Sequence, residues 1–254
     1  MPQNHQDLVA GQFGPQADAY VASAVHAAGE DLEQLAAAVQ SRPVARALDL
    51  GCGGGHVSFR LSRFVGEMIA YDLSPDMLAA VAREAARRGL SNIATRQGRV
   101  ERLPFPSDGF DLVVSRFSAH HWQDLATALR EARRVLKAHG RAVFIDVVAP
   151  PRPLMDTYLQ SIELLRDPSH VRDYSELEWR RALASAGFAP GEAVMRRLRL
   201  DFASWTARMR TPDLYVQSIR ALQAQMPREA HAYFELEEDG SFTVETMTVE
   251  AAPV

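Results

Sequence analysis

Cysteine is nearly missing from the chain: Cys52 is the only one in 254 residues. One thiol excludes an internal disulfide framework and a cysteine-built metal cluster. Positive charge is not in surplus either. The formal net charge is −4 and the isoelectric point about 6.1, whereas a nucleic-acid-binding surface needs a basic face. No apolar run approaches the roughly 18 residues of a membrane span. The opening Asn4, His5, Gln6 and Asp7 supply neither the basic region nor the apolar core of a signal peptide. These absences set the expectation of a cytoplasmic protein with no nucleic-acid partner and no membrane span. There are no internal repeats, and biased composition is confined to Ala-rich helical stretches.

Apolar residues are plentiful, at 47% of the chain, and the length suits one domain with an insertion or a small lid. The chain is organised around Ala47-Leu48-Asp49-Leu50-Gly51-Cys52-Gly53-Gly54-Gly55-His56. A short apolar run ends in an acid and then turns through four glycines within five positions. Helical spacing of apolar residues follows from Val57 to Phe64. The pattern predicts a buried strand, a tight turn and a helix. Glycines there permit positive φ and close approach of a ligand to the main chain, and the helix start offers N–H groups to an anion. About 20 residues on, Met68-Ile69-Ala70-Tyr71-Asp72 is a second strand ending in an acid. Ser74 is then an N-cap and Pro75 the first helical residue. A nucleotide-binding βαβ unit places its ribose-binding carboxylate where Asp72 stands. The position of a third dinucleotide-type glycine is taken by His56, which disfavours a nicotinamide cofactor.

Helical spacing runs through the leader from Phe13 to Val39, with a break near Gly29. Strands are expected at 45–50, 68–72, 93–97, 110–115 and 142–147, alternating with helices, which implies a parallel doubly wound sheet. The Pro150-Pro151-Arg152-Pro153 segment interrupts the alternation. Helices 154–166 and 175–186 form a helical insertion too long for an ordinary connection. Strand 191–200, a helical stretch 202–226 and a final strand 242–249 follow.

The pattern Asp49-x-Gly51-x-Gly53-x-Gly55, together with Tyr71-Asp72-Leu73-Ser74, resembles the first two motifs of class I S-adenosylmethionine (SAM)-dependent methyltransferases. Gly98-Arg99-Val100-Glu101-Arg102-Leu103-Pro104-Phe105 resembles their next segment, with Arg99 where an acid is usual. The likeness is to the ubiquinone/menaquinone-biosynthesis type (methyltransferase type 11), in its YafE-like branch, and extends in outline to Trp205–Pro212. It implies an α/β, Rossmann-like, doubly wound seven-stranded sheet, mostly parallel with an antiparallel last strand, plus a helical lid. The segments would be a leader or cap (1–40), a SAM-binding core (41–149), the lid (150–188) and completing strands and helix (189–254).

The resemblance also implies SAM as cofactor, with S-adenosyl-L-homocysteine (SAH) as product. The cofactor set would be Tyr20, Asp49, Gly51, Cys52, Gly53, Gly55, Asp72, Leu73, Met77, Arg99, Val100 and Ser115. Tyr20 is a gate over the cofactor or plain packing. His120 and His121, beyond the fourth strand, are the candidate proton acceptors, since histidine titrates near neutral pH; capping and solvation are the alternative roles. Trp122, Asp146, Arg172, Tyr174 and Arg208 are candidates to line the site of a small, partly apolar methyl acceptor. No zinc-type ligand spacing occurs, so no metal is expected. A homodimer stays open. A binding or scaffold protein without turnover, and an NAD-dependent oxidoreductase, are the alternative readings.

Overall fold

The computed structural model describes residues 4–21 and 29–254. Its centre is an eight-stranded sheet in the order β3-β2-β1-β4-β5-β8-β6, with β7 also paired to β8. The strands are β1 Val44–Leu50, β2 Val65–Asp72, β3 Ile93–Gln97, β4 Phe110–Arg116, β5 Leu136–Val148, β6 Phe188–Pro190, β7 Val194–Leu200 and β8 Phe242–Pro253. The first five are parallel, and β8 runs antiparallel to β5, β6 and β7. The expected sheet had seven strands. The stretch read as one strand at 191–200 begins later, at Val194, and a separate three-residue β6 precedes it. Both pair with the outer edge of β8, β6 near Ala251–Pro253 and β7 along Phe242–Thr248.

Alternation within the strands sorts side chains to two faces. Leu48, Leu50, Val113 and Phe144 join Leu129 and Ala132 of helix Leu125–Val135 and Trp179 and Leu183 of helix Glu176–Ser185. Ala47, Leu112, Val114 and Val143 meet Leu32, Leu35 and Val39 of helix Glu30–Gln40 on the other face. Parallel strands covered on both faces read as continuous apolar runs. That is why β1, β4 and β5 stood out in the sequence.

The stretch 150–188, expected to be one lid, does not pack as one unit. Helix Glu176–Ser185 is part of the sheet's core. Helix Pro153–Arg166 instead packs through Met155, Leu159 and Ile162 on Trp205, Ile219, Phe234 and Phe242. Pro153–Arg166 therefore shares a core with helices Phe202–Met209, Asp213–Ala224 and Arg228–Tyr233. The expected helical stretch 202–226 is broken at Arg210, whose φ of 50° caps the first helix before Thr211 and Pro212. The sheet order reverses between β1 and β4. Ligands of open α/β sheets bind outside the carboxyl ends of the strands at such a point. No helix among the described residues is long and apolar enough to cross a membrane.

Candidate functional site

Strand β1 delivers the glycine turn. Gly51, Gly53 and Gly55 all have positive φ, at 66°, 47° and 76°, a region costly for residues with a Cβ. The Gly51 and Cys52 N–H groups both donate to the Tyr71 carbonyl, at 2.8 and 3.0 Å, tying the turn to β2. The surroundings of the glycines differ. A Cβ on Gly51 would lie 1.8 Å from Ser118 Oγ, and one on Gly54 would lie 2.8 Å from the Tyr20 backbone. A Cβ on Gly53 would meet nothing within 4 Å, because this residue faces an open cleft. Gly55 looks away from the cleft, toward Val81 and Phe59.

Two carboxylates secure the turn. Buried Asp49 accepts from the Ser58 N–H (3.1 Å) and hydroxyl (2.7 Å); burial pushes its pKa up to about 7, with the Ser58 bonds opposing. Asp72, at the end of β2, accepts from the Gly53 N–H through one oxygen and the Ser74 N–H through the other, each at 2.9 Å. Burial raises its pKa as well, against the pull of those donors. Each oxygen keeps a lone pair, and Asp72 lines the cleft. Leu73, Met77, Cys52 and Val100 share the lining with Arg99, whose side chain is exposed. Buried Ser115 sits behind the cleft and lines neither cavity described here; its hydroxyl has no hydrogen-bond partner among the described residues.

Strand β4 ends in the short helix Ala119–His121. Asp146, from the adjacent β5, has one oxygen 2.7 Å from His120 Nδ1 and accepts the Ala119 N–H with the other at 2.8 Å. Burial works against a charge on His120, yet the Asp146 carboxylate raises its pKa to about 9. His121 differs. Its Nδ1 is 3.1 Å from the Ser169 carbonyl, so Nδ1–H is the donor there. Burial and the neighbouring His120 charge lower its pKa to about 4. The two rings lie 4.3 Å apart, and His170 lies 5.8 Å from His120. Environments that push neighbouring groups apart in this way assign them different protonation states at neutral pH.

Atoms of His120, Asp146 and Asp173 also lie within 4.8 Å of one another, a spacing a metal ion could use. The Asp146 oxygens are already engaged by His120 and Ala119. Hydrogen bonding accounts for His120 and Asp146, whereas Asp173 keeps one buried oxygen without a hydrogen-bond partner among the described residues.

Two cavities meet here. The first is the cleft along the glycine turn. The second, about 530 Å³, lies between the histidines, β7 and helix Phe202–Met209. Phe13, Tyr20, Arg116, Phe117 and His121 line both. The Phe13 ring stands edge-on to His121 at 5.0 Å and to Tyr20 at 5.6 Å. The Tyr20 hydroxyl is 3.2 Å from Met209 Sδ, and the Gln12 amide donates to the Met209 carbonyl at 2.9 Å. His56 Nε2–H donates to the Tyr20 carbonyl at 2.8 Å. The leader is thus docked across the junction.

Trp122 lines the first cavity and Arg208 the second. Asp146 lines neither and stands behind His120. Arg172 and Tyr174, expected in the acceptor site, line neither cavity. Arg172 pairs with Asp156 and Glu178, and Tyr174 packs edge-on against Trp179. Both brace the chain between the two long helices of the 150–188 stretch. The sequence reading passed over Phe13, Gly54, Ser118 and Arg166. Gly54 lies inside the glycine turn and Phe13 opens the leader, and only the fold brings Gly54 against the Tyr20 backbone and Phe13 against His121.

Comparison with known proteins agrees with this geometry. Residues 48–144 match the methyltransferase domain family. Over 201 residues the chain is 45% identical to the uncharacterized protein YafE of Escherichia coli (strain K12), covering 79% of this chain and 97% of that one. It is 36% identical over 200 residues to the uncharacterized methyltransferase YcgJ of Bacillus subtilis (strain 168), covering 79% of each. The YcgJ crystal structure superposes with a TM-score of 0.83 at 32% identity, covering 87% of this chain and 97% of that chain. A geranyl diphosphate C-methyltransferase from Streptomyces coelicolor A3(2), solved with Mg²⁺, geranyl diphosphate and SAH, shares the fold. Its TM-score is 0.60 at 20% identity, covering 87% of this chain and 76% of that one.

Proposed function

Because the chain belongs to the class I SAM-dependent methyltransferases of the YafE type, we propose that it methylates a small, partly apolar acceptor held in the second cavity. The supporting observation is the junction: five residues line both cavities, so ligands in the two would meet there. The turn fits the cofactor. Gly53 leaves open the space that any side chain would fill, and Asp72 faces the same cleft with unused acceptor capacity. SAM, when bound, supplies an electrophilic methyl group on a sulfonium.

The chain's own groups then have distinct tasks. Asp72 would accept from ribose hydroxyls, and the Val100 N–H would serve the base in place of the acid that Arg99 replaces. Phe13 and Tyr20 exclude water from the junction, where alignment of reacting groups supplies much of the acceleration. Of the two histidines, His121 suits the proton acceptor. It is neutral at pH 7, with Nδ1–H committed to Ser169 and Nε2 left as the acceptor nitrogen, 3.8 Å from the Asp167 carboxylate. His120 stays charged and acts as a donor.

The test is calorimetry with SAM, followed by transfer of labelled methyl from SAM to a small-metabolite extract. Asp72→Ala should weaken SAM binding by one to two orders of magnitude, about 1.5–3 kcal/mol. SAM binding without labelled product would support a scaffold and refute the enzyme reading; label in protein or RNA alone would refute the small acceptor.

A further inference from the structure

Most charged groups around the second cavity are matched; Asp173 is an exception, with one buried oxygen lacking a hydrogen-bond partner among the described residues and a pKa that burial raises well above the usual carboxylate range. Arg116 pairs with Asp31, and Arg166 with Glu163 at 3.1 Å. Arg196 lies 3.8 Å from Glu30, and Arg197 3.1 Å from Glu235. Arg208 differs. Among the described residues no carboxylate forms an ion pair with it, and its Nε is buried without a hydrogen-bond partner. Burial lowers its pKa and the nearby Arg166 lowers it further, while Tyr20 and Glu163, the latter already bonded to Arg166, pull the other way. Holding a buried guanidinium there with no carboxylate in ion-pair contact is unfavourable to the folded state. The rest of the lining includes Val147, Leu198, Leu200, Trp205 and Met209.

We propose that Arg208 is an anion-binding residue of the acceptor cavity, and that the acceptor carries a carboxylate on an apolar body. This rests on the methyl-transfer reading. A single guanidinium presents a planar fork that matches the two oxygens of a carboxylate. A dianionic phosphate would call for a second available cation. The neighbouring Arg166 is already engaged by the Trp205 carbonyl at 3.0 Å and by Glu163. The apolar lining suits a ring or a short chain beyond the carboxylate. His121 and Arg208 line the same cavity, so an acceptor anchored at Arg208 can present its reacting atom to the wall shared with the cofactor cleft.

The experiment is calorimetric titration of the SAH-saturated protein with benzoate, with the neutral isostere benzamide and with inorganic phosphate. Benzoate should bind at least about tenfold more tightly than benzamide or phosphate. Arg208→Met should abolish that preference, leave SAH affinity unchanged, and hold or raise the melting temperature, because it removes a buried charge with no ion-pair contact. Equal binding of benzoate and benzamide overturns the proposal, as does a preference that survives in Arg208→Met or no benzoate binding in the tens of millimolar. Tighter binding of phosphate would assign the site to a phosphorylated acceptor and refute the carboxylate. A melting temperature lowered by several degrees would make Arg208 structural and refute the proposal. Failure of the parent protein to bind SAH would instead strike the methyl-transfer reading itself, so the two failures are distinguishable.

Discussion

Gly51 and Gly53 are two residues apart in one turn, both with positive φ, yet alanine should act on them differently. The left-handed conformation costs an alanine about 1–2 kcal/mol at either position. At about 2–4 °C per kcal/mol for a protein of this size, that strain alone lowers the melting temperature by roughly 2–8 °C. Gly53→Ala should show this and nothing more in the absence of ligand, because its Cβ meets nothing within 4 Å. Gly51→Ala adds an overlap, with its Cβ 1.8 Å from Ser118 Oγ and 2.7 Å from Ser118 Cβ. The hydroxyl can rotate away, but the Ser118 Cβ contact requires backbone movement, and overpacking of this kind costs a further 1–3 kcal/mol or so. Scanning fluorimetry should therefore rank the parent above Gly53→Ala, and Gly53→Ala above Gly51→Ala. Calorimetry with SAM should show Gly53→Ala, the more stable variant, weakened at least about tenfold, or 1.4 kcal/mol. Parental SAM affinity in Gly53→Ala would mean that the open space beside this glycine is only solvent, and the cofactor site would have to be sought elsewhere.

Asp49→Asn should gain stability relative to the parent as pH rises from about 4 to 7. The folded-state pKa of Asp49 is raised to about 7, so the folded protein holds a proton that the unfolded chain has released, and parental stability falls across that window. Parallel melting curves against pH for the two proteins would refute this. Asp146→Asn should drop the His120 pKa from about 9 to below the ordinary histidine value, since only burial and weaker neighbours would remain; an NMR titration of the imidazole proton reads it directly. The His120–Asp146 pair stabilises the fold below about pH 6.5 and loses that contribution as pH rises through 9, so the variant's deficit in melting temperature should shrink above pH 9. SAM should slow hydrogen exchange in the glycine turn, in leader residues 5–21 and around 167–171, because His5 bonds the Ser169 carbonyl and Phe13 packs on His121. Protection confined to the turn would mean that the leader does not close the cofactor cleft.

What could be read from the sequence was whatever the backbone imposes locally. Positive φ demands glycine, a strand end carries Asp72, and Ser74-Pro75 starts a helix, and each of these is observed. The buried strands announced themselves as apolar runs. Features fixed by tertiary partners did not. β6 is three residues long and exists because β8 has an edge to offer it. The break at Arg210 was signalled by Thr211-Pro212, since a proline restricts the residue before it, but apolar periodicity through Trp205 and Met209 hid it. Arg172 and Arg208 looked equivalent as lid arginines. Only the fold shows that one is clamped by two acids and that the other has no ion pair among the described residues. Arrangement of the two histidines was likewise invisible, because Asp146 and Ser169 approach them from other segments.

The grip of Gly53 and Ser74 on Asp72 bears on the speed and entropy of binding. Its two oxygens are each held by a backbone donor, one from the turn and one from the start of the next helix. The carboxylate is therefore fixed in one rotamer before any ligand arrives. Ordering a free side chain on association costs about 0.5–1.5 kcal/mol, and here folding has already met that cost. The same two bonds make the turn, β2 and the following helix one rigid mould. A ligand that enters it selects no conformation at Asp72, and its association there should be limited by access past the leader rather than by rearrangement of the glycine turn.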